Sequence, residues 1–317
     1  MENVSQSPVI RKKINLLRLF NERDDNYRKK IYVKISIELK NILSYKTNEQ
    51  YLTLDVIHDF VKKWSRGKTK KQVQEKIAQI ISVISYFKTF NGKEINLPNE
   101  LSKDLSYFVG VITGDGSLPI KHNGQKQRNY VVSIEKANRK FISSFLRPLV
   151  KEIFDIKWSL ITRKVKKKKK TWILYLYSKP LYRYLTQIFE LPEGKKSYKI
   201  RMPSIIRNLK PHERIPFMAG VMDTDWGILG GDRFGVHCAS KLLLEDTKNT
   251  LEELVKIKLN VKKFKQKNKY TSYQLIIPKK HKQNLFNVLQ TYFPLKNHKR
   301  IKLFKAGMAE SGNALVC

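Results

Sequence analysis

Apolar residues recur at helical spacing through the first part of the chain. Ile10, Ile14, Leu17 and Phe20 form one stripe, residues 27–45 a second, less regular one, and Leu54, Ile57, Phe60, Val61 and Trp64 a third. After a break at 65–68 a longer stripe runs through Val73, Ile77, Ile80, Ile81, Ile84 and Phe87. Spacings of three and four place such residues on one face of a helix, so the pattern predicts an all-α N-terminal domain over 1–95. Its last two helices, joined by a short Gly-containing turn, have the form of a helix-turn-helix, which any small helical bundle shares. Asn-Gly and Leu-Pro punctuation within 88–100 marks the domain boundary.

Beyond that boundary the chain repeats itself. From Ser102 there is an apolar helix (FVGVIT), a hairpin turning at Asn123-Gly124 into YVVSI, and a long helix near 137–155. A second hairpin, WSLITRK with WILYLYS, and a closing helix, PLYRYLTQIFE, complete the unit. From Pro211 the order returns: FMAGVMD, a hairpin through Gly230-Gly231-Asp232 into FGVHCAS, a helix near 241–258, the strands VKKFKQK and YQLIIP, and a helix near 280–292. Even the tails match, FELPEGKKSYKI being echoed by YFPLKNHKRIKL. The expected architecture is α+β: two αββαββα units, 100–205 and 206–317, related as a pseudo-dimer on one chain. Each would hold a four-stranded antiparallel sheet with helices on one face and the other open to a ligand.

Charge gives that open face a partner. The 317 residues carry 64 Lys and Arg against 27 Asp and Glu, a formal charge of +37. Such an excess repels itself unless a polyanion shares it, which points to nucleic acid ahead of an anionic membrane surface or mere codon bias. The length suits two or three packed units, and 41% hydrophobic residues suffice for real cores. No apolar run is long enough to cross a bilayer, and the first residues, MENVSQSPVIRKK, hold no signal core. With only Cys238 and Cys317, no disulfide framework is available. The expected location is intracellular, in the cytoplasm with the nucleoid or in an organelle, rather than secreted.

Two segments carry chemistry: FVGVITGDG, from Phe108 to Gly116, and MAGVMDTDW, from Met218 to Trp226. Gly110 and Gly220 sit inside apolar helices, where glycine costs about 1 kcal/mol relative to alanine, so close approach of another backbone is expected. Asp115 and Asp225, 110 residues apart, end the two segments. If the helices pack about a pseudo-twofold, both carboxylates meet at helix C-termini, against the macrodipole and against each other. A divalent cation offsets both penalties; hard oxygen ligands suit Mg²⁺, and a basic chain points to phosphodiester hydrolysis.

These segments resemble the LAGLIDADG motif of homing endonucleases in its double-motif, single-chain form, and the likeness covers roughly residues 100–305. The resemblance implies two αββαββα halves saddling double-stranded DNA, with the motif helices at their interface and metal-binding acids over the scissile phosphates. It assigns Mg²⁺ or Mn²⁺ to Asp115 and Asp225, with the carbonyls of Gly114 and Thr224 completing the coordination. Asp223 matches the motif's earlier acid, Thr113 takes that place in the first copy, and both read as capping or packing positions. The family also places basic residues near the metals, a place that Lys136 fits in the first half and Lys241 less clearly in the second. Trp226 replaces the closing glycine of the second motif; its ring would either obstruct metal or DNA or turn outward.

DNA-binding candidates are Lys121, Gln125, Gln127, Arg128, Arg233, Lys265 and Gln266, hairpin residues suited to reading bases, with Arg163, Lys164 and Lys263 as cations of the strand faces. The tract KVKKKKK at 164–170 either holds phosphates or is a solvated loop. The implied activity is that of a monomeric, metal-dependent, site-specific DNA endonuclease serving intron homing. A non-cleaving DNA-binding regulator on the same scaffold, or a maturase acting on intron RNA, are the alternatives, and either would survive Asp115→Asn. Zinc, phosphate-loop and nucleophile-elbow patterns are absent from the sequence.

Overall fold

A computed structural model describes residues 12–16, 31–89, 91–119, 130–163, 170–229, 233–265 and 271–292. Beyond the boundary, the motif helix of the first unit is Lys103–Asp115, capped by the Ser102 side chain. Gly116–Ser117, Val131–Lys136, Thr171–Tyr177 and Ser159–Arg163 follow as one antiparallel sheet, in that spatial order. In the next unit the motif helix is Ile215–Asp225, and its sheet runs Gly227–Ile228, Phe234–Cys238, Thr271–Ile277, Val261–Lys265. Both sheets thus place their four strands in the order first, second, fourth, third.

Alternation decides which face of each sheet is covered. Ile134 and Leu174 are partners in register, as are Val132 and Leu176, and all four are buried under helices. Val236 and Leu275 do the same in the other sheet. The covering helix of the first unit is continuous over 139–154, with one wide π turn at Ile142–Leu146. Phe108 of the motif helix meets Phe154 edge-on at 5.1 Å, joining helix layer and motif in one core.

The N-terminal region corrects the all-α expectation. Helices Leu54–Trp64 and Lys70–Ser82 form where the stripes predict them, and Ile37–Leu43 falls within 27–45. Around them runs a four-stranded antiparallel sheet in the order Tyr51–Thr53, Ile31–Lys34, Tyr86–Thr89, Ile95–Asn96. The physical reason lies in IYVK and YFKT: Ile31, Val33 and Phe87 point into the core while Tyr32, Lys34, Tyr86 and Lys88 point away, the two-residue period of a strand. Of the stripe from Ile10 to Phe20, only Ile14 lies among the described residues, next to the short strand Lys12–Lys13 that pairs with Glu100–Leu101.

The N-terminal sheet and the chain just after it are fastened to the helices that cover the sheet of the first motif. Asn96 Nδ2 donates to the Ile153 carbonyl at 3.0 Å, and Tyr184 Oη donates to the Pro98 carbonyl at 2.7 Å. Among the described residues, no helix is long and apolar enough to cross a membrane.

Candidate active site and nucleic-acid interface

The two motif helices touch backbone to backbone. A Cβ placed on Gly110 would lie 2.1 Å from the Phe217 carbonyl oxygen, and one on Gly220 would lie 2.2 Å from that of Tyr107. Any larger residue at either position forces the helices apart, which explains two glycines in otherwise apolar helix interiors. Higher up, Tyr107 Oη donates to Asp223 Oδ2 at 2.7 Å across the interface, with both residues fully buried. Burial, then the neighbouring Asp223, holds the Tyr107 hydroxyl well above its usual range. Asp223 is thus a buried interface residue. Thr113, its partner by position, bonds its own helix through the Val109 carbonyl at 2.8 Å.

The same contact brings the two helix ends together. A Cβ on Gly114 would meet Thr224 Oγ1 at 2.0 Å and Asp225 Oδ2 at 3.3 Å, so the Asp225 carboxylate lies against the residue preceding Asp115. Two lysines neutralise this junction in a crossed pattern. Lys136 forms an ion pair with Asp115, and its Nζ donates to the Thr224 carbonyl of the other helix at 2.8 Å. Lys196 donates to the carbonyls of Ile112, Thr113 and Gly114 at 2.8, 2.8 and 2.6 Å. Burial pushes the Lys196 ammonium down to about 8, opposed by the negative charge of Asp225. Each ammonium therefore caps one helix C-terminus while facing an acid, as macrodipole electrostatics favours.

Lys196 has no place among the sequence-derived residues, although it lies in the repeated tail FELPEGKKSYKI, which is visibly basic. Lys241 instead is exposed at the start of helix Lys241–Val255. Trp226 departs from both outcomes foreseen for it. Its ring is fully buried in the core and packs against Phe234 at 5.5 Å, while Asp225 beside it is half-buried. The backbone leaves both helices alike, with φ −69° and ψ 157° at Gly116 and φ −80° and ψ 150° at Trp226.

The open sheet faces sort the remaining residues. Arg163 is exposed on the open face of the first sheet, 4.0 Å from Glu135, which also accepts from Thr171 Oγ1 at 2.6 Å. Tyr175 and Tyr177 stack beside them at 5.9 Å. In the second sheet, register puts Lys263 opposite Tyr273 and Val261 opposite Leu275, so Lys263 shares the parity of the helix-covered face. Lys265, at the end of the same strand, pairs through its backbone with Thr271. Lys262, opposite Gln274, takes the open face with His237 and Phe264. Arg233 is exposed at the start of strand Phe234–Cys238, where its backbone carbonyl accepts from Leu229 N at 2.9 Å. Lys121, Gln125, Gln127, Arg128, Lys164 and Gln266 lie outside the described residues, as does 164–169 of the lysine tract.

The donor set at the helix ends fits a hard cation. It consists of two carboxylates and helix-end carbonyls, and those carbonyls already draw ammonium groups. Among the described residues, no group of three or more His, Cys, Asp or Glu could enclose a metal. An ion held here would therefore keep much of its water, as Mg²⁺ does.

No protein-family model matches the chain, and no curated protein matches it. Its neighbours among solved structures include homing endonucleases. I-DmoI in complex with DNA and Ca aligns with 63% of this chain and 96% of its own at 22% identity, with a TM-score of 0.46. Mesophilic variants of I-DmoI align with 60% and 94% at 22% identity and a TM-score of 0.44. The homing endonuclease I-WcaI bound to its DNA recognition sequence aligns with 61% and 83% at 21% identity and a TM-score of 0.42.

Proposed function

We propose that the chain is a site-specific endonuclease of the LAGLIDADG type that hydrolyses both strands of duplex DNA with Mg²⁺ or Mn²⁺. The observation that carries this reading is the paired helix ends: Asp115 and Asp225 held together by backbone contact, each faced by a lysine. In this reading 100–205 and 206–317 are pseudo-symmetric units of one monomer, their open sheet faces saddle the duplex, and 1–95 is an appended domain. Asp115 and Asp225 would hold the metal, with the carbonyls of Gly114 and Thr224 in support. When bound, the metal supplies charge stabilisation at the phosphate and acidifies water. Lys136 and Lys196, whose ammonium protons go to Asp115 and the helix-end carbonyls, act by charge and offset the negative charge that builds on the phosphate oxygens. Arg163, Lys262 and Arg233 contact the duplex from the open faces and the hairpin.

Cleavage of a randomised duplex library at moderate salt with Mg²⁺ tests the reading. Discrete double-strand products are expected from the wild type, falling about 10³-fold or more in Asp115→Asn and in Asp225→Asn, the scale of several kcal/mol of transition-state stabilisation. Sequence-selective retention of duplex without any cleavage by the wild type would refute it.

A further inference from the structure

We propose that helices Leu54–Trp64 and Lys70–Ser82 form a second duplex-DNA site, whose second helix reads bases in the major groove. The inference does not rest on the nuclease reading. The turn between the helices is built for a fixed angle: Gly67 adopts φ +72°, and a Cβ there would meet nothing within 4 Å. Glycine is required by the backbone here, not by a neighbour. Thr69 and Gln72 then close a reciprocal capping box, with Thr69 N donating to Gln72 Oε1 at 2.9 Å. Behind the pair, Leu54, Ile57 and Ile80 are buried in the hydrophobic core, and Ile81 is buried as well. Lys76 lies over the Trp64 ring at 5.6 Å and the Phe60 ring at 5.9 Å, pinning one helix to the other.

What faces solvent is polar and cationic. Lys62, Lys63, Arg66, Lys68, Lys70 and Lys71 are all exposed, and no acid occurs between Asp59 and Glu75. Lys70 and Lys71 stand in the first turn of a helix that has no acidic residue there. That end of the macrodipole is positive, so the lysines are unfavourable until a polyanion arrives. Along the exposed face of the second helix run Lys71, Gln74, Glu75 and Ala78, at positions i, i+3, i+4 and i+7, with the exposed Gln79 at their edge. Glutamine amides match the paired donor and acceptor of adenine in the major groove. The Ala78 methyl suits the methyl group of thymine, and the flanking cations match phosphates.

Other occupants fit less well. An apolar protein partner finds no exposed large hydrophobic residue on these two helices among the described residues. Unpaired bases need open aromatic rings, and Phe60 and Trp64 are half-buried beneath lysine stems. The N-terminal sheet is tied to the helical layer behind the first sheet through Asn96, and the chain just after it through the bond from Tyr184 to the Pro98 carbonyl, so this surface is assigned a DNA segment of its own.

Binding-site selection from a randomised duplex library by the full chain in EDTA tests the proposal. The wild type is expected to select two sequence elements. Gln74→Ala with Gln79→Ala should erase one of them, weakening binding to the wild-type site about tenfold or more. Replacing Lys62, Lys63, Arg66 and Lys68 with Gln should lower the slope of log affinity against log salt by about 0.9 for each phosphate the variant no longer neutralises, whatever the sequence. Both variants change only exposed residues; unchanged melting by circular dichroism reports an intact fold. Wild-type affinity, selected site and salt slope in both variants would overturn the proposal, as would effects confined to single-stranded RNA. Disappearance of one element from a chain that never cleaves would sustain it while the nuclease reading fails.

Discussion

The two motif helices end differently in everything but backbone. The first closes on Gly116 and the second on Trp226, with nearly the same φ and ψ. Asp115 has a direct ion pair with Lys136, whereas the lysine that senses Asp225 spends its three hydrogen bonds on the opposite helix. Both lysines precede the second motif helix in the chain. The two lysines therefore reach this junction by different contacts: Lys136 joins the acid of one helix to a carbonyl of the other, and Lys196 is held by three carbonyls of one helix within the field of Asp225.

The sharpest way to break this comparison is to push the helices apart. Gly220→Leu should cost more than about 4 kcal/mol, enough to leave little folded protein, because its side chain meets the Tyr107 carbonyl; yield and urea unfolding would show it. Next comes the asymmetric closing residue. Trp226→Ala should cost about 3–4 kcal/mol by emptying a core position, while its folded fraction cleaves at the wild-type rate. A cleavage defect larger than the drop in folded protein would mean that the ring acts on Asp225.

The lysines can then be separated by pH. Lys196 has its folded pKa lowered to about 8, below the roughly 10.4 of an unfolded lysine, so the unfolded chain binds more protons between those values. Its contribution therefore raises stability with pH across that window, by up to about 1.4 kcal/mol per pH unit. Urea titrations in EDTA from pH 7.5 to about 9.5 should show this slope in the wild type and in Lys136→Met, and a shallower one in Lys196→Met. Smallest is Tyr107→Phe, expected to cost about 1–2 kcal/mol by removing a donor from the buried Asp223 carboxylate, readable as a lowered urea midpoint.

Much of this arrangement is legible without coordinates. The motif helices, the strands Val131–Lys136, Thr171–Tyr177 and Thr271–Ile277 and the meeting of Gly110 with Gly220 follow from apolar runs, turn residues and misplaced glycines. Short strands stay hidden because four residues such as YFKT extend a helical stripe by coincidence: Phe87 follows Ile84 at a helical interval yet belongs to a strand. The face that Lys263 takes is hidden too, because a run of lysines carries no parity; only the partner Leu275, through Val261, reveals it. Lys196 is obscured for another reason. It is far along the chain from the helix end it caps, and one lysine among 64 basic residues gives no local signal of a long-range contact.

The glycine contact has a consequence for what can vary. Where two helices meet through carbonyl oxygens and Cα atoms, no rotamer at the contact can adjust, and the separation of the two acids becomes a fixed ruler. The exposed strands, by contrast, present side chains such as Arg163, Lys262 and Gln274 that can be exchanged without touching that joint. Under the proposed nuclease reading, a chain built this way would be retargeted to new sequences with the distance between its two acids unchanged.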